Sequence, residues 1–445
     1  MTRLRRWLLP LLVVPFAASA ADGDDMPAIG LHAQATWIRQ YKPSLSAAYS
    51  GPNSLRTQRE WSSSVTATAD LGVRLWTGAQ VHLNPEAARG LPLSHLSGAG
   101  GISNGELQRG GSGTLRSYPA RLFVQQRIDA GGDTERVEAG FNELGGTAAA
   151  RRWTFTAGLL SLLDFFDPNP YAKDPRSQFT NWAFLTHGAW DYAADARGYT
   201  LAAIAEYRAP GWAVRFGRAA QPRESNGPRL DHDLARKRGD QLEIESDLPL
   251  ALPAGPLRAR ALLFRNRIDG GRFDDAITHA FVAAPAVSDV RRLQHKNGWG
   301  LTLEAPLGPD QGLFVRASRN DGRVETYAFT EIDRQLAVGG QFAGAAWGRT
   351  DDRWGLAYAV NGLSPNHRDY LARGGLGAFL GDGALRYGSE RVAEGYYRWV
   401  LPELGVSGGR LQNAFSAGLQ HIANPGYNRD RGPARVVTVR WHSEF

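Results

Sequence analysis

Between residues 161 and 198 the chain reads SLLDFFDPNPYAKDPRSQFTNWAFLTHGAWDYAADARG. Asp164, Asp167, Asp174, Asp191 and Asp195 stand among Arg176, Arg197 and Asn181, interleaved with Phe165, Phe166, Tyr171, Trp182, Trp190 and Tyr192. Carboxylates, guanidinium groups and amides pair with hydroxyls, and flat rings receive the CH faces of a saturated ring. Such a set suits a polyhydroxylated solute that is held weakly and repeatedly, so that its passage stays fast. Trp182, Trp190 and Tyr192 would supply stacking faces; Asp164, Asp174, Asp191, Arg176 and Arg316 would supply hydrogen bonds. The segment is too apolar to lie in water and too charged to touch lipid. It is therefore expected to fold back into the body that carries it.

Other chemistries find less support. The chain has no cysteine, which excludes a disulfide scaffold, thiol catalysis and cysteine metal sites. Its ten histidines show no pairs at metal-ligand spacing. Asp164, Asp167, Asn169 and Asp174 offer oxygens that a calcium ion takes, but not at the spacing of a known calcium loop, so no metal and no cofactor are expected. Gly405-Val406-Ser407-Gly408-Gly409 matches G-x-S-x-G without the strand-to-helix elbow that this motif requires. His367-Arg368-Asp369 lacks the glycine loop and lysine strand of a kinase; Ser364 instead suits the cap of a short helix, PNHRDYLAR, ended by Gly374-Gly375. The glycine-rich run from Gly98 to Gly113 lacks the ending of a phosphate loop and reads as flexible loop.

The elements that must position the 161–198 segment are strands. In WSSSVTATADLGVRL, residues 61–75, apolar Trp61, Val65, Leu71, Val73 and Leu75 alternate with Ser62, Ser64, Thr66, Thr68, Asp70 and Arg74. The run is too long for an ordinary strand but suits a tilted membrane strand with overhang, whose polar face sees water. Similar alternation predicts sixteen strands, near 29–39, 61–76, 79–84, 119–128, 152–160, 199–207, 212–218, 240–248, 257–267, 297–305, 312–319, 335–343, 353–361, 390–401, 410–422 and 434–445. Long and short connections alternate between them, as they do between the two rims of a single-chain outer-membrane barrel. Only the segment from Asp129 to Arg151 is too long for its place, and Leu262 and Phe264 break the polar inner pattern. The expected fold is all-β: a transmembrane antiparallel barrel of about sixteen strands around an aqueous channel, its long outer loops partly folded into the pore. Arg74, Arg121, Arg127, Arg258, Arg260 and Arg316 fall on the face assigned to the lumen. His32, His82 and His442 fall there too, which leaves a lipid-facing Ser/His enzyme as the weakest reading, and no enzymatic activity is expected.

The two ends agree with export. Arg3, Arg5 and Arg6, an apolar run from Trp7 to Ala17 and then Ala18-Ser19-Ala20 read as a signal peptide over residues 1–20. It holds three arginines and no acid, so its removal lowers the formal charge from +7 to +4 and makes nucleic acid a poor partner. The terminal RVVTVRWHSEF places Val437, Val439, Trp441 and Phe445 on one face, as the last stave of a closed barrel would. A terminal aromatic of this kind resembles the signal read by the barrel-assembly machinery of outer membranes.

The stretches TFTAGLLSLLDFFDPNPYAKDPRSQFTNWAF, GAWDYAADARGYT, NDGRVETYAFTEIDRQL, NGLSPNHRDYLARGGLGAFLGDG and NPGYNRDRGPARV resemble the carbohydrate-selective porin family of Gram-negative outer membranes, the OprB type. The resemblance runs from about residue 30 to the terminus. It implies a sixteen-stranded barrel that admits mono- or oligosaccharides by passive diffusion, with inward-folded loops and an arginine-containing constriction. Outer-membrane lipid and carbohydrate solutes are the partners it implies, and porins of this shape often form homotrimers. A general or anion-leaning diffusion porin is the alternative that the lumen arginines permit.

Overall fold

The computed structural model describes residues 28–107, 111–252, 254–281, 283–406 and 409–445. The stretch 1–20 read as a signal peptide and Ser407 of the G-x-S-x-G match lie outside the described residues. Sixteen long antiparallel strands, from Ile29–Lys42 to Ala434–Glu444, each pair with the next in the chain. The last then pairs with the first, from Gln34 opposite Glu444 to Tyr41 opposite Val437. Phe445 extends this seam: its N–H donates to Ala33 O at 2.8 Å and its O accepts from Ala33 N at 3.0 Å. The barrel has no open edge, which is what allows strands to cross a membrane at all.

Alternation decides which way each strand faces. Trp61, Val65, Leu71 and Leu75 are exposed on the outside, whereas Ser62, Ser64, Thr66, Thr68 and Asp70 are buried inside. Aromatic residues gather outside near the rim of short turns, where Trp153 meets Tyr207 at 4.9 Å and Tyr397 meets Trp399 at 4.6 Å between centroids. Such girdles mark the interface of a bilayer.

The inner face is buried because loops fill much of the lumen. Phe166, Trp182, Trp190 and Tyr192 from the segment 161–199 pack with Phe329 against wall residues Leu160, Ile204, Leu262 and Phe264. The break in polarity at Leu262 and Phe264 is the apolar seat of that loop. Burying one such large side chain contributes about 1.5–3 kcal/mol. Wall carboxylates hold the loop's backbone: Glu394 accepts from Thr180 N at 2.6 Å and Asn181 N at 2.9 Å. Glu390 accepts from Gly100 N at 3.0 Å and Gly426 N at 2.9 Å, which draws two further loops inward. The part of the glycine-rich run from 98 to 107, read as flexible loop, is thus packed, with Gly105 N donating to Thr180 O at 2.7 Å. A Cβ at Gly105 would overlap Leu185, and one at Gly100 would overlap the Tyr427 ring, so glycine is needed for this approach. The helix over Pro365–Ala372 forms as expected, capped by the Ser364 side chain.

Two departures from the sequence reading bear on the channel. The strand expected to stop at 84 runs from Ala79 to Leu91, past a register shift at Asn84 and Pro85, and carries Glu86 into the wall. The overlong inner segment forms a hairpin, Thr134–Val137 with Gly146–Ala149, whose tip turns up into the lumen. There Asn142 N donates to Asp70 at 2.8 Å, Leu144 N to Gln80 Oε1 at 2.9 Å, and Arg127 pairs with Glu143. Arg74, expected to line the pore, donates to Gly145 O at 3.1 Å and so supports this floor.

Arg316 also faces inward, but beneath the loop rather than toward water. Fully buried, it pairs with Asp167 at 2.9 Å and donates to Phe184 O at 2.6 Å and Ala172 O at 2.8 Å. Removing one partner of a buried pair costs roughly 3–5 kcal/mol. Arg316→Met is therefore expected to lower the temperature at which the detergent-solubilised barrel loses its compact gel mobility. The double variant Arg316→Met, Asp167→Asn should recover part of the loss; a single variant as stable as the parent would contradict this anchoring.

Candidate functional site

A cavity of about 660 Å³ runs beside the 161–199 segment and is the aqueous part of the lumen. Toward the long-loop rim lies a smaller cavity of about 190 Å³ bordered by Arg116, Tyr118 and Arg197. Thr66, Glu106, Leu107 and Arg197 border both cavities, which places the constriction between them. A further opening of about 710 Å³ lies under Pro170 and Gln178, among Asp310, Arg349, Arg353 and Arg398 at the short-turn rim.

The constriction is built from two guanidinium groups shared among carboxylates. Arg121, on the strand Arg116–Asp129, makes a bidentate pair with Asp164 at 2.7 and 2.9 Å. Arg176, from the loop, pairs with Glu106 at 2.9 Å, and stands 3.8 Å from Asp174 and 3.9 Å from Glu86. Glu86 also accepts from Thr68 at 2.9 Å and from the hydroxyls of Tyr118 at 2.5 Å and Tyr199 at 3.1 Å. The Arg197 guanidinium lies 4.4 Å above the Tyr118 ring. Bidentate and charge-assisted bonds of this kind fix the side chains in place, so the constriction is rigid.

Electrostatics follow from burial. Burial raises the Glu106 carboxyl to about 7, with Arg176 and Thr66 only partly offsetting it. Burial would also raise Asp164, but Arg121 outweighs it and holds the carboxyl below its ordinary value. Asp174 is likewise lowered against its burial, chiefly by Arg176.

Six of the ten residues expected at the site border the main cavity: Arg121, Asp164, Asp174, Arg176, Trp182 and Tyr192. The faces of Trp182 and Tyr192 are partly used, because both stack on Phe329, at 4.7 and 4.6 Å. Trp190 is 2% exposed and meets Phe166 edge-on, inside the packed loop. Asp191 accepts from the Lys296 ammonium at 2.8 Å and from Tyr327 N and Ala328 N, which pins one loop to another. Arg74 and Arg316 are spent on the floor and the loop anchor. The four oxygen donors considered for calcium also go separate ways: Asp164 to Arg121, Asp167 to Arg316, Asn169 to Tyr171 N and Asp174 to Arg176. Sequence reasoning missed Glu86, Glu106, Tyr118 and Tyr199. Glu86 lies past Pro85, where the alternation breaks, and Glu106 sits in the run whose glycines read as mobility rather than close packing.

A closed sixteen-stranded barrel with a charged constriction between two aqueous cavities defines a porin, a diffusion channel of the outer membrane. The chain belongs to the carbohydrate-selective porin OprB family, whose model matches residues 53–445. It is a channel selective for carbohydrate, and its family and structural neighbours are channels rather than enzymes. The high-pH structure of OprB from Pseudomonas putida superposes with a TM-score of 0.65 at 14% identity over 94% of each chain. The loop-L8 deletion mutant of OmpT from Vibrio cholerae gives 0.47 at 12% identity over 94% of this chain and 100% of that one. OccK8 (OprE) from Pseudomonas aeruginosa gives 0.43 at 11% identity over 93% and 98%. Comparison with curated protein sequences finds no match.

Glu106 makes the constriction pH-sensitive. Below about pH 7 its carboxyl is protonated and neutral, so Arg176 loses part of its compensation. Anion-to-cation permeability, read from the reversal potential in a salt gradient, is expected to rise as pH falls from 8 to 6. Glu106→Gln should show the low-pH value throughout; a step that survives in that variant would assign the titration to another group.

Proposed function

We propose that monosaccharides and short oligosaccharides cross this channel by passive diffusion, exchanging hydrogen bonds with Arg121, Asp164, Arg176, Asp174, Glu86 and Glu106. The observation that carries this reading is the mutual neutralisation of the constriction: each guanidinium is shared with carboxylates at its edge. A sugar hydroxyl donates to a carboxylate while accepting from the neighbouring guanidinium, so it replaces water on both at once. With charges paired, no strong ionic filter opposes a neutral solute. Each exchange contributes about 1 kcal/mol net, and three or four give roughly millimolar dissociation constants. Weak binding of that order lets solute leave as readily as it enters. Trp182, 6% exposed where it borders the cavity, adds a small apolar contact for CH groups.

Residues 1–20 are proposed to be removed at export, and the strand ending at Phe445 to be read by the assembly machinery. A homotrimer in outer-membrane lipid is the assembly proposed, by analogy with the porin class.

Titrating glucose and a maltose-type oligosaccharide against single-channel current in a planar bilayer tests the proposal. Saturable, concentration-dependent block is expected. Arg121→Gln with Arg176→Gln should raise the block constant several-fold, and Trp182→Ala should weaken block while leaving the current similar or larger. Steady current without block would instead support a general pore, and strong anion selectivity without block an anion-leaning one.

A further inference from the structure

Eight cationic side chains border the main cavity, and they are not alike. Arg121 pairs with Asp164, Arg127 with Glu143, Arg152 with Glu135, Arg176 with Glu106, and both Arg208 and Arg215 with Glu206. Lys173 and Arg197 are the exceptions: among the described residues no carboxylate lies within ion-pair distance of either. Arg197 stands at the border of the outer cavity, held over the Tyr118 ring. Lys173 stands further in, on a turn tied down by Gln178, whose Oε1 accepts from Lys173 N at 2.7 Å and Asp174 N at 3.0 Å and whose Nε2 donates to Pro170 O at 2.6 Å. A rigid base presents the ammonium to the cavity.

We propose that Lys173 and Arg197 give this channel a second substrate class, sugars that carry a carboxylate, with Arg197 receiving the anion at the mouth and Lys173 inside the cavity. The inference rests on the sugar-diffusion reading above, because the sugar portion uses the same paired constriction. A neutral sugar offers this ammonium only hydroxyl oxygens as acceptors, whereas a uronate completes an ion pair there. Burial lowers the proton affinity of Lys173, and Asp164, Asp167 and Asp174 only partly offset that effect. Its ammonium is therefore short of counter-charge, which a bound carboxylate would supply. The two cations lie in sequence along the path, so the anion passes from one to the other without crossing an acidic barrier that is itself unpaired.

The test compares glucuronate with glucose, which share a pyranose ring and differ at C6, as blockers of single-channel current. In the parent protein at about 0.1 M salt, glucuronate is expected to block with a constant roughly two- to fivefold below that of glucose, the range of a partly screened ion pair. The gap should narrow at about 1 M salt, where charges are screened within roughly 3 Å. Lys173→Met should bring the ratio of the two constants close to one, and Lys173→Arg should restore it. Arg197→Gln should lower the glucuronate on-rate more than it raises the off-rate, as a steering charge does. Conductance itself shows that each variant is folded. Equal block by the two sugars in the parent, or a ratio that Lys173→Met leaves intact, would overturn this inference while leaving glucose diffusion standing. Absence of block by either sugar would instead remove the sugar-diffusion reading, and this inference with it.

Discussion

Irregular backbone can occupy the inside of a membrane barrel only if its N–H groups find acceptors, since an unpaired buried donor costs about 1–3 kcal/mol. In this protein buried carboxylates supply them. Glu394 receives Thr180 and Asn181, Glu390 receives Gly100, Gly101 and Gly426, and Glu243 receives Asp167. Between loops the same device recurs: Glu331 accepts from Ala378, Phe379 and Leu380, and Asp191 from Tyr327 and Ala328. Each such acid links an inward loop to the wall or to its neighbour. A wide barrel is thereby turned into a narrow channel.

The channel's chemistry follows from where this filling stops. Aromatic side chains of the 161–199 segment occupy the half of the lumen seated on Leu262 and Phe264, while the other half stays aqueous. At the border between them Arg121 and Arg176 are held by acids from strands and loops alike, so the constriction is polar, rigid and close to neutral. That favours solutes which exchange many weak hydrogen bonds over those driven by charge. Burial raises the Glu106 carboxyl to about 7, and it sits where the two cavities meet.

Strand alternation, the loop rhythm and the terminal aromatic were legible because they depend on neighbours in the chain. Trp61 to Leu75 shows its two faces without reference to anything else. The site was legible only in part, because its contacts span the chain: Thr180 and Glu394 lie 214 residues apart, Arg316 and Phe184 lie 132 apart. Arg316 and Arg121 look identical in an alternating strand, yet one is sealed beneath a loop and the other borders water. Gly98 to Gly113 reads as slack until the partners that crowd Gly100 and Gly105 are known. Pro85 hid Glu86 by interrupting the pattern at a register shift. The hairpin after Asp129 was visible as an excess of length, but not as a floor.

The most direct test of the account is the single-channel current of Glu394→Leu beside that of the parent. Leucine cannot accept from Thr180 N and Asn181 N, so the loop should leave its seat while the sixteen strands remain. The expected result is a larger and noisier open current that glucose no longer blocks. A current of parental size with parental glucose block would show that wall carboxylates do not hold the loops, and would contradict it.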